Sequence, residues 1–124
     1  MSDIQEFKID VPVSANQRLI RARNSKALIN SKRYRDWFYL AVLQLKTQRR
    51  LETLKGRIAV SITVHFADKR KRDLDNILKG FFDACTHAKV FEDDSQIDSL
   101  SIERAQAEKP ASLIAKIWEI NTKW

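Results

Sequence analysis

One cysteine, two histidines, two glycines and two prolines are all that this 124-residue chain holds of the residues that usually build special chemistry or special backbone. The lone Cys85 excludes an intramolecular disulfide and any cysteine cage for zinc, and it fits a reducing compartment. His65 and His87 stand apart, so no Cys/His zinc spacing exists. Gly56 and Gly80 cannot make a glycine-rich loop that cradles phosphate. No run approaches the roughly 18 apolar residues of a membrane span. Met1-Ser2-Asp3 leads into mixed residues rather than the apolar core of a signal peptide. These absences point to a soluble, cytoplasmic chain with no membrane partner and no small-molecule cofactor.

What is present is charge, unevenly placed. At 44% hydrophobic content, residues 1–124 make one ordinary domain, with enough apolar material for a core and too little for two. The net charge of +7 favours an acidic partner such as nucleic acid. From Gln17 to Lys55 eleven Lys or Arg face only Asp36 and Glu52, whereas Val90 to Glu103 holds five acids and no base. A purely electrostatic binder of DNA has no use for that carboxylate pole.

Hydrophobic periodicity predicts the elements. Phe7, Ile9, Val11 and Val13 alternate as a half-buried strand, with Pro12 placing its end at a sheet edge. Ser14 to Asn30 reads as a long polar loop. Ser31 is the expected N-cap of a helix from Lys32 to the Thr47–Arg50 region, with Tyr34, Phe38, Ala41 and Leu45 at helical spacing. Ile58, Val60, Ile62, Val64 and Phe66 alternate without fault as the clearest strand. A second helix begins at Leu74, carrying Ile77, Leu78, Phe81, Phe82 and Cys85 on one arc and Asp75, Asn76, Lys79, Asp83 and Thr86 on the other. Strands follow at Leu100–Ile102 and Leu113–Ile120, the last apolar at both parities and so central. The expected fold is α+β, a small mixed sheet with two packed helices in the order β-α-β-α-β-β.

Between the clearest strand and the second helix, Lys69-Arg70-Lys71-Arg72 runs straight into Asp73-Leu74-Asp75, with Asn76 and Lys79 close behind. Four adjacent cations need a polyanion or a solvated turn. Asp73 is placed to cap the helix with its carboxylate, and Asp75 is then a first-turn acid. With Asp94, from the Asp93-Asp94 pair past the same helix, they supply oxygen ligands for one or two Mg²⁺. Two such ions activate water and stabilise the leaving oxygen in displacement at phosphorus. Lys79 either stabilises phosphate charge or simply pairs with Asp75 at i, i+4. Phe91 either stacks on an unpaired base or belongs to the core.

In the segment Arg72-Asp73-Leu74-Asp75-Asn76 through Lys79, with Phe82-Asp83-Ala84 and then Asp93-Asp94, the chain resembles the RusA family of Holliday-junction resolvases. By matching positions, the resemblance implies that Asp73, Asp75 and Asp94 are metal-binding catalytic aspartates and Lys79 a catalytic lysine. Pro12-Val13-Ser14-Ala15-Asn16 is similar to the family's N-terminal turn, which implies that Asn16 lies near DNA, beside Lys69, Arg70, Lys71, Arg72, Asn76 and Phe91 as contacts. The chain departs from the pattern in Ala15, where a second Asn is common, and in His87-Ala88-Lys89, where Lys-Ala-Gly is common. The resemblance implies a Mg²⁺-dependent homodimer, Mn²⁺ substituting, that nicks a four-way DNA junction symmetrically in recombination and repair, in a family often encoded by phages and prophages. The other readings are a debranching or flap endonuclease using the same site and a DNA-binding module that does not cleave.

Overall fold

A computed structural model describes residues 3–14, 19–21 and 28–121. In chain order these form β1 (Gln5–Ile9), β2 (Leu19–Arg21), β3 (Leu28–Asn30), α1 (Lys32–Gln48), β4 (Ile58–His65), α2 (Leu78–His87), β5 (Ile97–Arg104) and β6 (Ser112–Glu119). Single 3-10 turns at Leu74–Ile77 and Asp94–Gln96 flank α2. The main sheet has the order β1-β6-β4-β5, antiparallel except for the β4/β5 pair. Among the described residues the α+β class, the mixed sheet, the two helices and the central place of β6 agree with expectation.

Ser14–Asn30 is more than the expected loop, because β2 and β3 pair antiparallel as a separate two-stranded sheet. Each strand carries only two adjacent apolar residues, Leu19-Ile20 and Leu28-Ile29, too short a run for a period of two to register. The first strand also stops at Ile9 rather than Val13. The Asp10 N–H donates to Gln44 Oε1 instead of a strand, and Pro12 has no N–H to offer. Helix α1 closes the open edge of β1 with a further glutamine, whose Gln48 amide takes both the N–H and the C=O of Lys8 at 2.7 Å. That is a direct way to blunt an edge strand.

The core lies on one face of the sheet. Val60, Ile62 and Val64 of β4 oppose Ile117, Ala115 and Leu113 of β6, and Phe7 and Ile9 of β1 extend the same face. Tyr34, Trp37, Ala41 and Leu45 cover it from α1, as Phe81, Ala84 and Cys85 do from α2. The two helices meet at Gly80, where a Cβ would stand in van der Waals contact with the Trp37 ring at 3.4 Å. Each fully buried side chain of this size contributes about 1.5–3 kcal/mol. Ser31 caps α1 as expected, accepting from the Tyr34 N–H at 3.1 Å.

The end of α2 resolves the missing glycine. Lys89 takes the left-handed conformation, φ 65°, and the Lys89 and Val90 N–H groups donate to Thr86 O and Cys85 O at 3.2 and 3.0 Å. This is a Schellman closure built on a residue with a Cβ, a conformation that costs about 1–2 kcal/mol outside glycine. Lys89→Gly should therefore stabilise the fold by about 1 kcal/mol, read as a higher urea midpoint with an unchanged slope. A lower midpoint would contradict the assignment.

Candidate active site

The basic loop leaves the end of β4 and is organised by an acid that the charge pattern concealed. Asp68 Oδ1 accepts from the Arg70 N–H at 3.0 Å and from Arg72 Nη1 at 2.6 Å, while Oδ2 accepts from Arg70 Nε and Arg72 Nη2. Hydrogen bonding from Arg72, then from the Arg70 backbone, holds the Asp68 carboxyl well below the usual carboxylate range. Arg72 lies over the Phe66 ring at 4.8 Å and Arg104, from the end of β5, over the same ring at 5.0 Å. The four-cation run is thus two kinds of residue. Lys69 and Lys71 make no hydrogen bond or ion pair with the described residues, whereas Arg70 and Arg72 are tied down by Asp68.

Asp73 follows at the N-cap position of the Leu74–Ile77 turn, in extended conformation. Its backbone carbonyl accepts from the Asn76 N–H at 3.3 Å, but its side chain makes no capping bond. That corrects the expected role, because the first turn is 3-10 and the carboxylate is left for other partners. A groove of about 1020 Å³ is lined by Asp73 and Asn76 together with Ser14, Arg33, Arg70 and Lys71. The N-terminal turn, the start of α1 and the basic loop therefore share one wall with Asp73. Asn16 itself lies outside the described residues.

Lys79 pairs with Asp83 at 3.1 Å rather than with Asp75. Its charge also reaches the turn after α2. The Ser95 hydroxyl and backbone N–H, and more weakly Lys79, hold the Asp93 carboxyl below the usual carboxylate range. Asp94 opens the Asp94–Gln96 turn, and Gln96 is the residue that builds it. The buried Gln96 Oε1 accepts from the N–H of Glu92 and of Asp93, both at 2.8 Å, and its Nε2 donates to Leu54 O and Gly56 O at 2.9 and 2.8 Å. Arg57 fastens the turn from the strand side, donating to Ser95 O at 2.8 Å and to both Asp98 oxygens. Phe91 is fully buried and bridges to Leu54, so its ring is core and is not presented to a base. Two residues missed from sequence had a signal: Asp93-x-x-Gln96 has capping-box spacing, and Asp68 stands two and four residues before Arg70 and Arg72.

The chain matches the model of the endodeoxyribonuclease RusA family over residues 10–117. It is 34% identical over 120 residues to the crossover junction endodeoxyribonuclease of Enterobacteria phage HK97, covering 94% of this chain and 96% of that protein. The chain belongs to the RusA family. The RusA enzyme of Aquifex aeolicus is 31% identical over 97 residues, 78% of this chain and 76% of its own length, and that of Escherichia coli K12 33% identical over 66 residues, 53% and 55%. As a RusA-family endodeoxyribonuclease, this protein is a hydrolase of DNA phosphodiester bonds. Among the described residues no helix is long and apolar enough to cross a membrane.

The expected three-aspartate cluster of this RusA chain is not assembled. Among the described residues no three His, Cys, Asp or Glu side chains are grouped to hold a metal ion. Asp73 and Asp75 are exposed and Asp94 is half-buried, so water reaches all three. None of the three carboxylates has a hydrogen bond or ion pair with the described residues, in contrast to those of Asp68 and Asp93. An all-oxygen, unbonded, water-accessible donor set fits a hard divalent cation that takes one or two carboxylates and completes its shell with water and phosphate oxygens.

Proposed function

We propose that this chain resolves four-way DNA junctions by paired nicks on equivalent strands, acting as a Mg²⁺-dependent homodimer in DNA recombination and repair. The observation that carries the reading is the placing of Asp73, its carboxylate unbonded, in the wall of a groove that also holds Arg70, Lys71 and Asn76. A phosphate seated there meets the Lys71 cation and a potential metal ligand together. The printed name of the HK97 relative, a crossover junction endodeoxyribonuclease, supplies the substrate class.

In this reading Lys69 and Lys71 hold the backbone, each contributing a salt-dependent increment to binding. Asn76, half-buried beside Asp73, orients the phosphate. Asp73, Asp75 and Asp94 would hold Mg²⁺ through their carboxylate oxygens. Bound Mg²⁺ polarises the phosphate and lowers the pKa of a water. Lys79, kept beside the Asp93–Asp94 turn and steadied by Asp83, offsets charge developing on the phosphate. A two-fold dimer presents two such sites to a substrate with two equivalent strands.

A supercoiled plasmid carrying an extruded cruciform tests the paired action. The expected result is linear product formed without accumulation of nicked circle, and a single protein peak at twice the chain mass. Nicked circle as the lasting product would contradict the coupled, dimeric reading, and equal cleavage of flaps would favour a debranching nuclease.

A further inference from the structure

The geometry points to Asp68 as a positioning residue for the cleavage site, one that holds Arg72 and so sets the backbone of Asp73, while withholding Arg70 and Arg72 from DNA. The inference deepens the junction-cleaving reading and rests on it. It starts from an economy in the loop: Asp73 has no side-chain bond to orient it, so its direction depends on its own backbone and on the residue before it. That residue, Arg72, is the best-held cation of the run. Its side chain is 28% exposed against 79% for Arg70, it makes a two-pronged pair with Asp68, and its guanidinium lies over Phe66 at 4.8 Å. Phe66 in turn is buried, and Arg104 lies over the same ring while donating to the Asp68 carbonyl at 3.0 Å. The Phe66 carbonyl accepts from Glu108 N–H at 2.9 Å, which binds the start of the loop to the segment after β5. A chain of contacts thus runs from the sheet through Phe66, Arg104 and Asp68 to Arg72 and ends one residue before Asp73.

Two consequences separate this role from a merely structural one, and they carry opposite signs. Removing the Asp68 charge releases Arg70 and Arg72 toward phosphate, so binding strengthens and becomes more sensitive to salt. The same change lets the Asp73 backbone drift, and misplacement of about 1 Å can cost about a hundredfold in rate. Loss of fold gives weaker binding and slower cleavage together.

The test compares wild type, Asp68→Asn and Arg104→Lys on a synthetic four-way junction, with affinities measured in EDTA over a salt series and single-turnover rates measured in Mg²⁺. For Asp68→Asn the expected rate is lower by about tenfold to a hundredfold, and the log–log salt slope is steeper by about one to two, at roughly 0.9 per freed cation. Arg104→Lys keeps its charge but loses the planar guanidinium over Phe66. It should cleave about tenfold more slowly with an unchanged slope, and it carries the test should Asp68→Asn not fold. Rates within twofold of wild type in both variants, or an Asp68→Asn slope equal to wild type, overturn the proposal. Failure of the underlying reading looks different: the wild-type protein leaves the junction uncut, and the slope comparison still decides whether Asp68 withholds the two arginines.

Discussion

Asp75→Asn should reduce junction cleavage about a thousandfold, the equivalent of about 4 kcal/mol of lost metal-borne stabilisation, while leaving junction affinity equal or a few-fold higher. The two halves of the expectation have separate causes. Asp75 is exposed in the Leu74–Ile77 turn, where its backbone carbonyl accepts from the Leu78 N–H while its carboxylate bonds to none of the described residues, so an isosteric amide removes nothing that the fold uses. In the proposed reading it removes a hard oxygen ligand from the metal and a negative charge from a surface that meets phosphate. Cleavage then falls with the metal, and binding gains from the reduced repulsion. Gel-shift titration in EDTA beside a cleavage time course in Mg²⁺ reads both. A collapse of affinity together with cleavage would make Asp75 a structural residue.

Gln96→Ala has the largest effect expected on stability, a loss of about 2–4 kcal/mol. Gln96 is buried and spends its carbonyl on two backbone N–H groups and its amide on two backbone carbonyls. Truncation leaves all four without a partner, and an unsatisfied buried group costs about 1–3 kcal/mol before water reaches it. Asp94→Asn, two residues away and half-buried, should stay within about 0.5 kcal/mol of wild type. Urea unfolding of the pair distinguishes the residue that builds the turn from the residue that the turn presents. Equal midpoints for Gln96→Ala and wild type would contradict this division.

The parts of the fold that were legible in the sequence are those governed by long periodic patterns. The alternation from Ile58 to Phe66 carries β4 and its burial, and Ser31 ahead of the Tyr34–Leu45 stripe carries α1 and its cap. The short hairpin strands Leu19–Arg21 and Leu28–Asn30 were not legible, because three residues hold no period. Lys89 in the left-handed region was hidden for another reason: the usual signal is a glycine, and here tertiary contacts impose the conformation on a residue that disfavours it.

The candidate site was legible as a list of residues and much less as a geometry. Charge counting treated Lys69, Arg70, Lys71 and Arg72 as equals. It could not see that Asp68, three-dimensionally among them, pairs with two of them. The same counting could not tell Asp93 from Asp94, yet the capping box commits the Asp93 carboxylate to Ser95 and leaves the Asp94 carboxylate without a bond to the described residues. Phe91 illustrates the converse, an aromatic beside acids that in sequence could either stack on a base or join the core, and that packing places wholly inside. Backbone hydrogen bonding and pairing choice decide such cases, and both depend on contacts far apart in sequence.

The most direct measurement mixes the protein with a synthetic four-way junction and with a linear duplex of the same arm sequence, each in Mg²⁺ and in EDTA, and maps the ends produced. The account predicts paired nicks at equivalent positions on two strands of the junction in Mg²⁺, an intact junction bound in EDTA, and an uncut duplex in both. Binding of the junction without Mg²⁺-dependent nicks, or equal cutting of the duplex, would contradict it.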